Sequence, residues 1–319
     1  MKIGLFGIGH LGKIHLNCLR STPFEIVGFF DPDNNEAQKV VEQFKIRRFE
    51  SESDLINACQ AVDIVTPTAQ HFEIAMQALD QGRHIFIEKP ITKDLSQAEL
   101  LVKKVNNSGL VAQVGHVERY NPAFTALEPG KFQPMFIEAH RLATFNPRGT
   151  DVSVILDLMI HDLDLIMNLV NKEVVDIQAN GINVISDSAD ICNARLTFSN
   201  GCVANVTSSR ISMKNMRKIR LFQENAYITI DFLAKESQII TLEDQYTVNT
   251  MGPIETNKGK RYLAVTSPLV KDGNAVVDEL NDFYNSINNK VPPKVSINDG
   301  YRALMMAFRI EKVLKDQLY

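Results

Sequence analysis

The first twelve residues, MKIGLFGIGHLG, constrain the fold more than any other stretch of the chain. Ile3, Leu5 and Phe6 make a short apolar run that predicts a buried strand. Gly7-x-Gly9-x-x-Gly12 follows without a break, and Leu11 to Leu19 then has helical spacing, with Leu11, Ile14, Cys18 and Leu19 on one face. A second strand, Glu25 to Phe30, ends at Asp31. Strand, glycine turn, helix, strand and acid, in that order, are the parts of a dinucleotide-binding fold. Gly7 permits the tight turn, Gly9 lets a pyrophosphate approach the backbone, and Gly12 lets helix and strand pack closely. The cradle is therefore Gly7, Ile8, Gly9, His10, Leu11 and Gly12, with the free N–H groups and positive dipole end of the helix facing the diphosphate. Asp31 is placed to accept hydrogen bonds from a ribose 2′-hydroxyl and to repel a 2′-phosphate. The expected cofactor is NAD rather than NADP.

At 319 residues the chain exceeds the size at which one core stops growing, so two domains are expected, 1–120 and 121–319. A net charge of −4 without any basic run argues against a nucleic-acid partner. With the first strand expected from Lys2, no signal peptide is expected, and no apolar stretch is long enough for a membrane span. The four cysteines, Cys18, Cys59, Cys192 and Cys202, form no C-x-x-C pair. Cys192 and Cys202 flank an expected hairpin turn at Asn200-Gly201 in a geometry poor for a disulfide. The expectation is a reduced, cytoplasmic protein.

After Asp31 the first half alternates helix and strand. Helices are predicted at Asn34–Phe44, Ser53–Cys59 and Phe72–Gln81, and from a capping box at Ser96-Gln-Ala-Glu99 to Asn107. Strands are predicted at Ile46–Phe49, Val62–Val65, His84–Ile87 and Leu110–Val114, six in all with the first two. Alternation of this kind builds a parallel sheet, and ligands bind beyond the carboxyl ends of its strands. Thr66, Pro67, His71, Glu88, Lys89 and the 115–120 stretch all fall at such ends. The second half has one strand, Met135–Leu142, one apolar helix, Val154–Val170, and then six strands between Val174 and Leu242. Strands succeeding one another without helices predict an antiparallel or mixed sheet, hence an α+β domain. The polar stretch Asp244–Gly259 is expected to be a loop, and Ala275–Asn288 and Asn298–Asp316 are expected to be amphipathic helices.

The apolar helix carries Asp157, His161, Asp164 and Asn168 as one polar stripe. Buried ionisable groups are costly unless paired, so the stripe calls for a reason. His161 can act as a general base near neutral pH, with Asp157 orienting it. The same residues also suit a structural pair or, less well, a metal site, since no third His or Cys ligand has a matching spacing. Asp162 is expected on a solvated edge of the helix. Lys89, between an apolar strand and a proline, is placed to neutralise a developing oxyanion, or else is a surface lysine in a turn.

Gly7-x-Gly9-x-x-Gly12, Thr66-Pro-Thr-Ala-Gln-His71, Glu88-Lys89-Pro90 and Asp157-x-x-x-His161, taken together, resemble the Gfo/Idh/MocA family of sugar and polyol oxidoreductases. The resemblance covers essentially the whole chain. It implies an N-terminal Rossmann domain with a parallel sheet and a C-terminal α+β domain with an open, largely antiparallel sheet. It implies Lys89, Asp157 and His161 as the catalytic group, with His71 and Glu88 framing the nicotinamide end of the cofactor. It also implies subunit contact through the second sheet, in a homodimer or homotetramer. One departure lies at Asp151-Val-Ser-Val-Ile, where many members have a glycine-rich run. A narrower resemblance, to the branch acting on nucleotide sugars, rests on Val114-Gly-His-Val-Glu-Arg-Tyr-Asn-Pro122 and Ile155-Leu-Asp-Leu-Met-Ile-His-Asp-Leu-Asp164. It implies oxidation at C3 of a UDP-linked amino sugar, with His116, Arg119, Tyr120 and Asn121 lining the sugar site. Lys258, Lys260 and Arg261 then either meet a diphosphate or form a solvated basic loop. Alternatives are an NAD-dependent glycosidase, another sugar or polyol dehydrogenase, and a non-catalytic NAD-binding regulator.

Overall fold

The structure, a computed structural model, describes all residues except 128–131, 147–151, 248–249, 258 and 317–319. In chain order the first elements are β1 (Lys2–Phe6), α1 (His10–Leu19), β2 (Glu25–Phe30), α2 (Asn34–Phe44), α3 (Glu52–Ala58), β3 (Ala61–Ile64), α4 (Thr68–Asp80), β4 (His84–Ile87), α5 (Leu95–Ser108) and β5 (Ala112–Val114). A 3-10 turn (Val117–Tyr120), α6 (Pro122–Thr125), β6 (Phe136–Leu142), a π turn (Ile155–Met159) and α7 (Ile160–Val170) follow. Then come β7 (Val174–Ile182), β8 (Ile191–Phe198), β9 (Val203–Ser209), β10 (Met216–Gln223), β11 (Ala226–Asp231), β12 (Glu236–Glu243), β13 (Thr250–Thr256), β14 (Gly259–Thr266), α8 (Ala275–Asn289) and α9 (Ile297–Asp316).

The chain forms two compact units, Met1–Tyr120 with Asn274–Leu304, and Asn121–Gly273 with Met305–Tyr319. A single cut at 120 therefore misses a return of the chain. Leu280, Phe283 and Ile287 of α8 are buried against Ile3, Phe24 and Phe86, and burying each such side chain contributes about 1.5–3 kcal/mol. Helical periodicity shows that α8 is amphipathic but not which sheet its apolar face covers.

The first unit is a parallel sheet in the order β2-β1-β3-β4-β5. Successive connections leave β1 toward opposite edges, which opens a crevice at the carboxyl ends of β1 and β3. It has five strands rather than six. The expected strand at Ile46–Phe49 contributes only an isolated bridge between Phe29 and Arg48, too short to propagate a ladder. The helix expected to open at Ser96 starts at Leu95 instead. Asp94 is its cap, accepting the Gln97 N–H at 2.9 Å, and Gly109 closes it at φ +68°. On α1, Leu11 and Ile14 face outward, 40% and 37% exposed. The buried face holds Gly12, His15, Leu16, Cys18 and Leu19.

The second unit is a nine-stranded sheet in the order β13-β14-β12-β11-β10-β6-β9-β8-β7. Only β6 and β9 pair in parallel. Buried sheet residues such as Ile137, Ala194, Leu196, Val206 and Ile219 pack with Leu163, Ile166 and Met167 of α7 and with Met306, Ala307 and Ile310 of α9. Part of the expected loop at Asp244–Gly259 is a strand. β13 pairs with β14 at the sheet edge, with alternating half-exposed residues and a register shift before Pro253. Backbone pairing at an edge needs no apolar run, so the pattern is weak in sequence, and an edge is where a strand tolerates proline. All four cysteines are free and buried, and burial pushes the Cys192 thiol up to about 12.

Candidate active site

The glycine turn has the shape its residue types demand. Gly7 takes φ +88°. A Cβ at Gly12 would lie 2.1 Å from the Gly7 carbonyl oxygen, whereas one at Gly9 would meet nothing within 4 Å. Gly12 is thus closed by packing and Gly9 is open. The start of α1 has no side-chain cap, so its first N–H groups are available to an anion. The Asp31 carboxylate accepts the Ile8 N–H at 2.8 Å and the Asp33 N–H at 2.8 Å. A carboxylate has about four lone-pair sites, which leaves room for ribose hydroxyls. These residues fit a dinucleotide. Arg48 donates to the Asp31 carbonyl at 3.0 Å and to Asn34 Oδ1 at 2.7 Å, which places a guanidinium beside the acid. Nothing in the spacing of Arg48 signalled that position.

At the next strand exits, His71 is 1% exposed and its two ring nitrogens face backbone carbonyls, Pro90 at 2.9 Å and Thr66 at 2.8 Å. Burial pulls its pKa below the ordinary histidine value, against the pull of those carbonyls. The ring ties the ends of β3 and β4 together. The Lys89–Pro90 peptide is cis, and Lys89 is half-buried.

Beneath Lys89 lies a cluster of buried ionisable groups. His15 Nδ1 is 3.0 Å from Asp63 Oδ2, and Nε2 is 3.2 Å from Glu88 Oε1. The other Glu88 oxygen accepts the Lys89 N–H at 3.1 Å. Glu279, from α8, is fully buried beside His15 and Glu88. Burial alone would lower the His15 pKa, but the two carboxylates outweigh it and hold the ring well above the ordinary value. Burial favours a neutral Glu88, yet His15 and Lys89 bring it below the usual carboxylate range. Burial and the Glu88 charge push Glu279 well above that range. The sequence reading passed over His15, Asp63 and Glu279. Each carried a signal: a histidine on the inner face of α1, an acid inside an apolar strand, and an acid on the apolar face of α8.

In the second unit, Asp157 sits on the π turn and His161 in the first turn of α7, both half-buried. The Ile160 N–H reaches back to the Ile155 carbonyl, which widens the turn, so the stripe expected of a continuous α-helix is offset at Asp157. Such π turns recur at functional sites. Asp162 is not on a solvated edge. It is 2% exposed and meets Arg141 of β6 through two 2.9 Å hydrogen bonds. Asp164 is also 2% exposed. A cavity of about 560 Å³ beside Asp157 is lined by Thr144, Phe145, Asn146, Leu158, Arg210 and Asn215. A larger one, about 760 Å³, lies over β10, β11 and β12. The smaller is the better candidate, because it contains Asp157.

Of the four candidate sugar-site residues, His116, Arg119 and Tyr120 lie in the first unit. His116 is 1% exposed. Arg119 pairs with Asp299 at 3.5 Å, and the Tyr120 hydroxyl donates to Asp282 at 2.7 Å. Asn121, in the second unit, caps α6 and donates to the Phe232 carbonyl at 3.2 Å. These contacts give the run structural work. Arg261 pairs with Asp244 at 2.6 Å, and Lys260 lies 5.9 Å from the Tyr262 ring centre. Lys258, the 147–149 loop and Asp151 lie outside the described residues.

A glycine-turn Rossmann unit joined to a large open-sheet unit defines a class, the two-unit nicotinamide-dependent oxidoreductases. Residues 1–116 match the family model described as oxidoreductase family, NAD-binding Rossmann fold, and 133–229 match the GFO/IDH/MocA C-terminal domain. The chain belongs to the Gfo/Idh/MocA oxidoreductase family. It is 35% identical to UDP-N-acetylglucosamine 3-dehydrogenase of Acidithiobacillus ferrooxidans over 97% of this chain and 96% of that one. A solved structure of that enzyme superposes with a TM-score of 0.90 at 34% identity, covering 99% of this chain and 98% of the other. Myo-inositol 2-dehydrogenase of Thermotoga maritima is 22% identical over 99% and 97% of the two chains. A levoglucosan dehydrogenase solved with NADH and L-sorbose shares the fold, with a TM-score of 0.84 at 19% identity over 99% and 97%. Among the described residues no helix is long and apolar enough to cross a membrane.

Proposed function

We propose that this NAD-dependent dehydrogenase oxidises the C3 hydroxyl of a UDP-linked amino sugar, UDP-N-acetylglucosamine. The observation that carries the reading is the likeness to a 3-dehydrogenase of that sugar nucleotide along nearly the whole of both chains. Gly7 to Gly12 and the start of α1 would hold the diphosphate of NAD, and Asp31 the adenosine ribose. Thr66, Pro67, His71, Glu88 and Lys89 would frame the nicotinamide end. When bound, NAD supplies a two-electron acceptor. His161 takes the hydroxyl proton, Asp157 orients His161, and the Lys89 ammonium stabilises the developing oxyanion. The cavity beside Asp157 offers amides at Asn146 and Asn215 and the Arg210 guanidinium, groups suited to a sugar amide and to phosphate charge. The reading places the enzyme in the cytoplasm as a homodimer or homotetramer, consistent with four buried thiols.

The test is reduced-nicotinamide absorbance on mixing the protein with NAD and UDP-N-acetylglucosamine, with free sugars and inositol alongside. Formation of NADH with the nucleotide sugar alone is the expected result. Formation only with free sugars or inositol overturns the substrate. If neither gives NADH, and the protein instead retains cofactor and releases an aglycone without net oxidation, it is a glycosidase.

Asp31 makes a separate prediction. The unmodified protein binds NADH more tightly than NADPH, and Asp31→Ala narrows the gap, because the carboxylate goes while Arg48 stays beside the site. Titration by nicotinamide fluorescence reads it. Equal affinities in the unmodified protein would discard the assignment.

A further inference from the structure

We propose that His15 is a positioning residue for the Lys89 chemistry: its buried ring bridges Asp63 to Glu88, and Glu88 holds the Lys89 backbone amide. The inference rests on Lys89 as the oxyanion-stabilising group. Three elements converge on this line. His15 comes from α1 just after the glycine turn, Asp63 from β3, and Glu88 from the end of β4. Both ring nitrogens lie against carboxylate oxygens, at 3.0 and 3.2 Å. The Nδ1 contact is a hydrogen bond and the Nε2 contact a close ion pair, and the imidazolium form carries the charge that both carboxylates face.

Glu88 is boxed in on its remaining side. A Cβ on Gly115 would fall 2.5 Å from Glu88 Oε1, so the glycine leaves the space the carboxylate fills. With one oxygen at His15 and the other at the Lys89 N–H, Glu88 has one orientation. That orientation carries the Lys89 peptide with it. The other ionisable groups facing His15 are Glu279 of α8 and the Cys18 thiol of α1. Burial and the Glu88 charge push Glu279 toward its neutral form. In that form Glu279 spares the cluster a further buried negative charge, which would be costly.

The protonation pattern sets a pH signature. The fold raises His15, Glu279 and, by burial, Asp63, so each holds its proton to higher pH than in the unfolded chain and stability falls as pH rises. The His15 contribution is complete below about pH 6.5, its unfolded value, and is lost as pH climbs through the raised folded value. The Glu279 cost begins near its lower unfolded value and runs in the same direction.

The experiment is a double-mutant cycle of His15→Gln with Lys89→Ala, assayed with NAD and UDP-N-acetylglucosamine, with NADH affinity measured by fluorescence. His15→Gln is expected to lower kcat roughly 10–100-fold, as losses of a supporting group do, while KM and NADH affinity move less than about twofold. In the Lys89→Ala background it is expected to add no further loss, because the group it positions is gone. Equal losses in both backgrounds overturn the proposal, since a merely structural histidine harms both alike. Wild-type turnover by Lys89→Ala sinks the Lys89 reading itself, and this proposal with it. If the substrate reading fails, the stability profile still reports: His15→Gln is expected to flatten the decline above pH 6.5, and an unchanged slope overturns the charged bridge. Should His15→Gln not fold, Asp63→Asn in the same cycle removes the anchoring charge at nearly constant shape, with the same outcomes.

Discussion

Replacing His161 by alanine is expected to cut turnover by ~10²–10⁴-fold, the range for removing a general base, while leaving NADH affinity nearly unchanged. The two effects separate because His161 stands on α7 of the second unit, whereas the glycine turn and Asp31 belong to the first. A base acts only when neutral, so turnover of the unmodified enzyme is expected to fall on the acid side, and the variant loses that limb. Asp157→Asn is expected to fall between the two, because it removes the orienting charge and keeps the base. Steady-state kinetics across pH, with NADH titration as the control, measure all three. His161→Ala with more than half of normal turnover would return the Asp157–His161 pair to the structural role that its sequence spacing also allows.

The largest expected loss of stability comes from a residue with no proposed part in the chemistry. Asp162→Ala is expected to cost about 3–5 kcal/mol, the range for breaking a buried ion pair by removing one partner. Arg141 and Asp162 are 3% and 2% exposed and share two 2.9 Å hydrogen bonds, so the variant strips a guanidinium of its bidentate carboxylate away from water. The pair joins α7 to β6, and α7 carries His161. Urea unfolding reads the loss as a drop in midpoint, and the double replacement Arg141→Met with Asp162→Leu is expected to recover most of it, since a packed apolar pair often replaces a buried ion pair at little cost. A loss below about 1 kcal/mol, typical of exposed pairs, would show that water reaches this site.

His161 and Asp157 stand out in the sequence, because ionisable residues inside an apolar helix need a reason. Asp162, in the same helix, was assigned to solvent because its partner, Arg141, lies 21 residues away on a strand. Charge on a helix face reads the same whether water or a buried guanidinium meets it. His15 failed for a related reason. Leu11 and Ile14, apolar residues of α1, are exposed, while the inner face sets a histidine beside Leu16 and Leu19 because Asp63 of β3 and Glu88 at the end of β4 meet it there. The hairpin of β13 and β14 went unread because edge pairing leaves little apolar pattern.

What the sequence determined by itself was local. Glycines between an apolar strand and a helix set the turn, because φ +88° at Gly7 strains a residue with a side chain and a Cβ at Gly12 would fall 2.1 Å from a carbonyl oxygen, while Gly9 leaves the backbone open. Alternating helix and strand in the first half set a parallel sheet, and strands in succession set the second one. Motif order identified the family. Tertiary structure alone decided which charges meet. It returned α8 to the first unit, buried Glu279 beside His15, and joined Arg141 to Asp162. The reason is physical. Backbone geometry and periodicity act over a few residues and leave a mark in the spacing. An ion pair forms across the fold, and its energy depends on burial that no local pattern records.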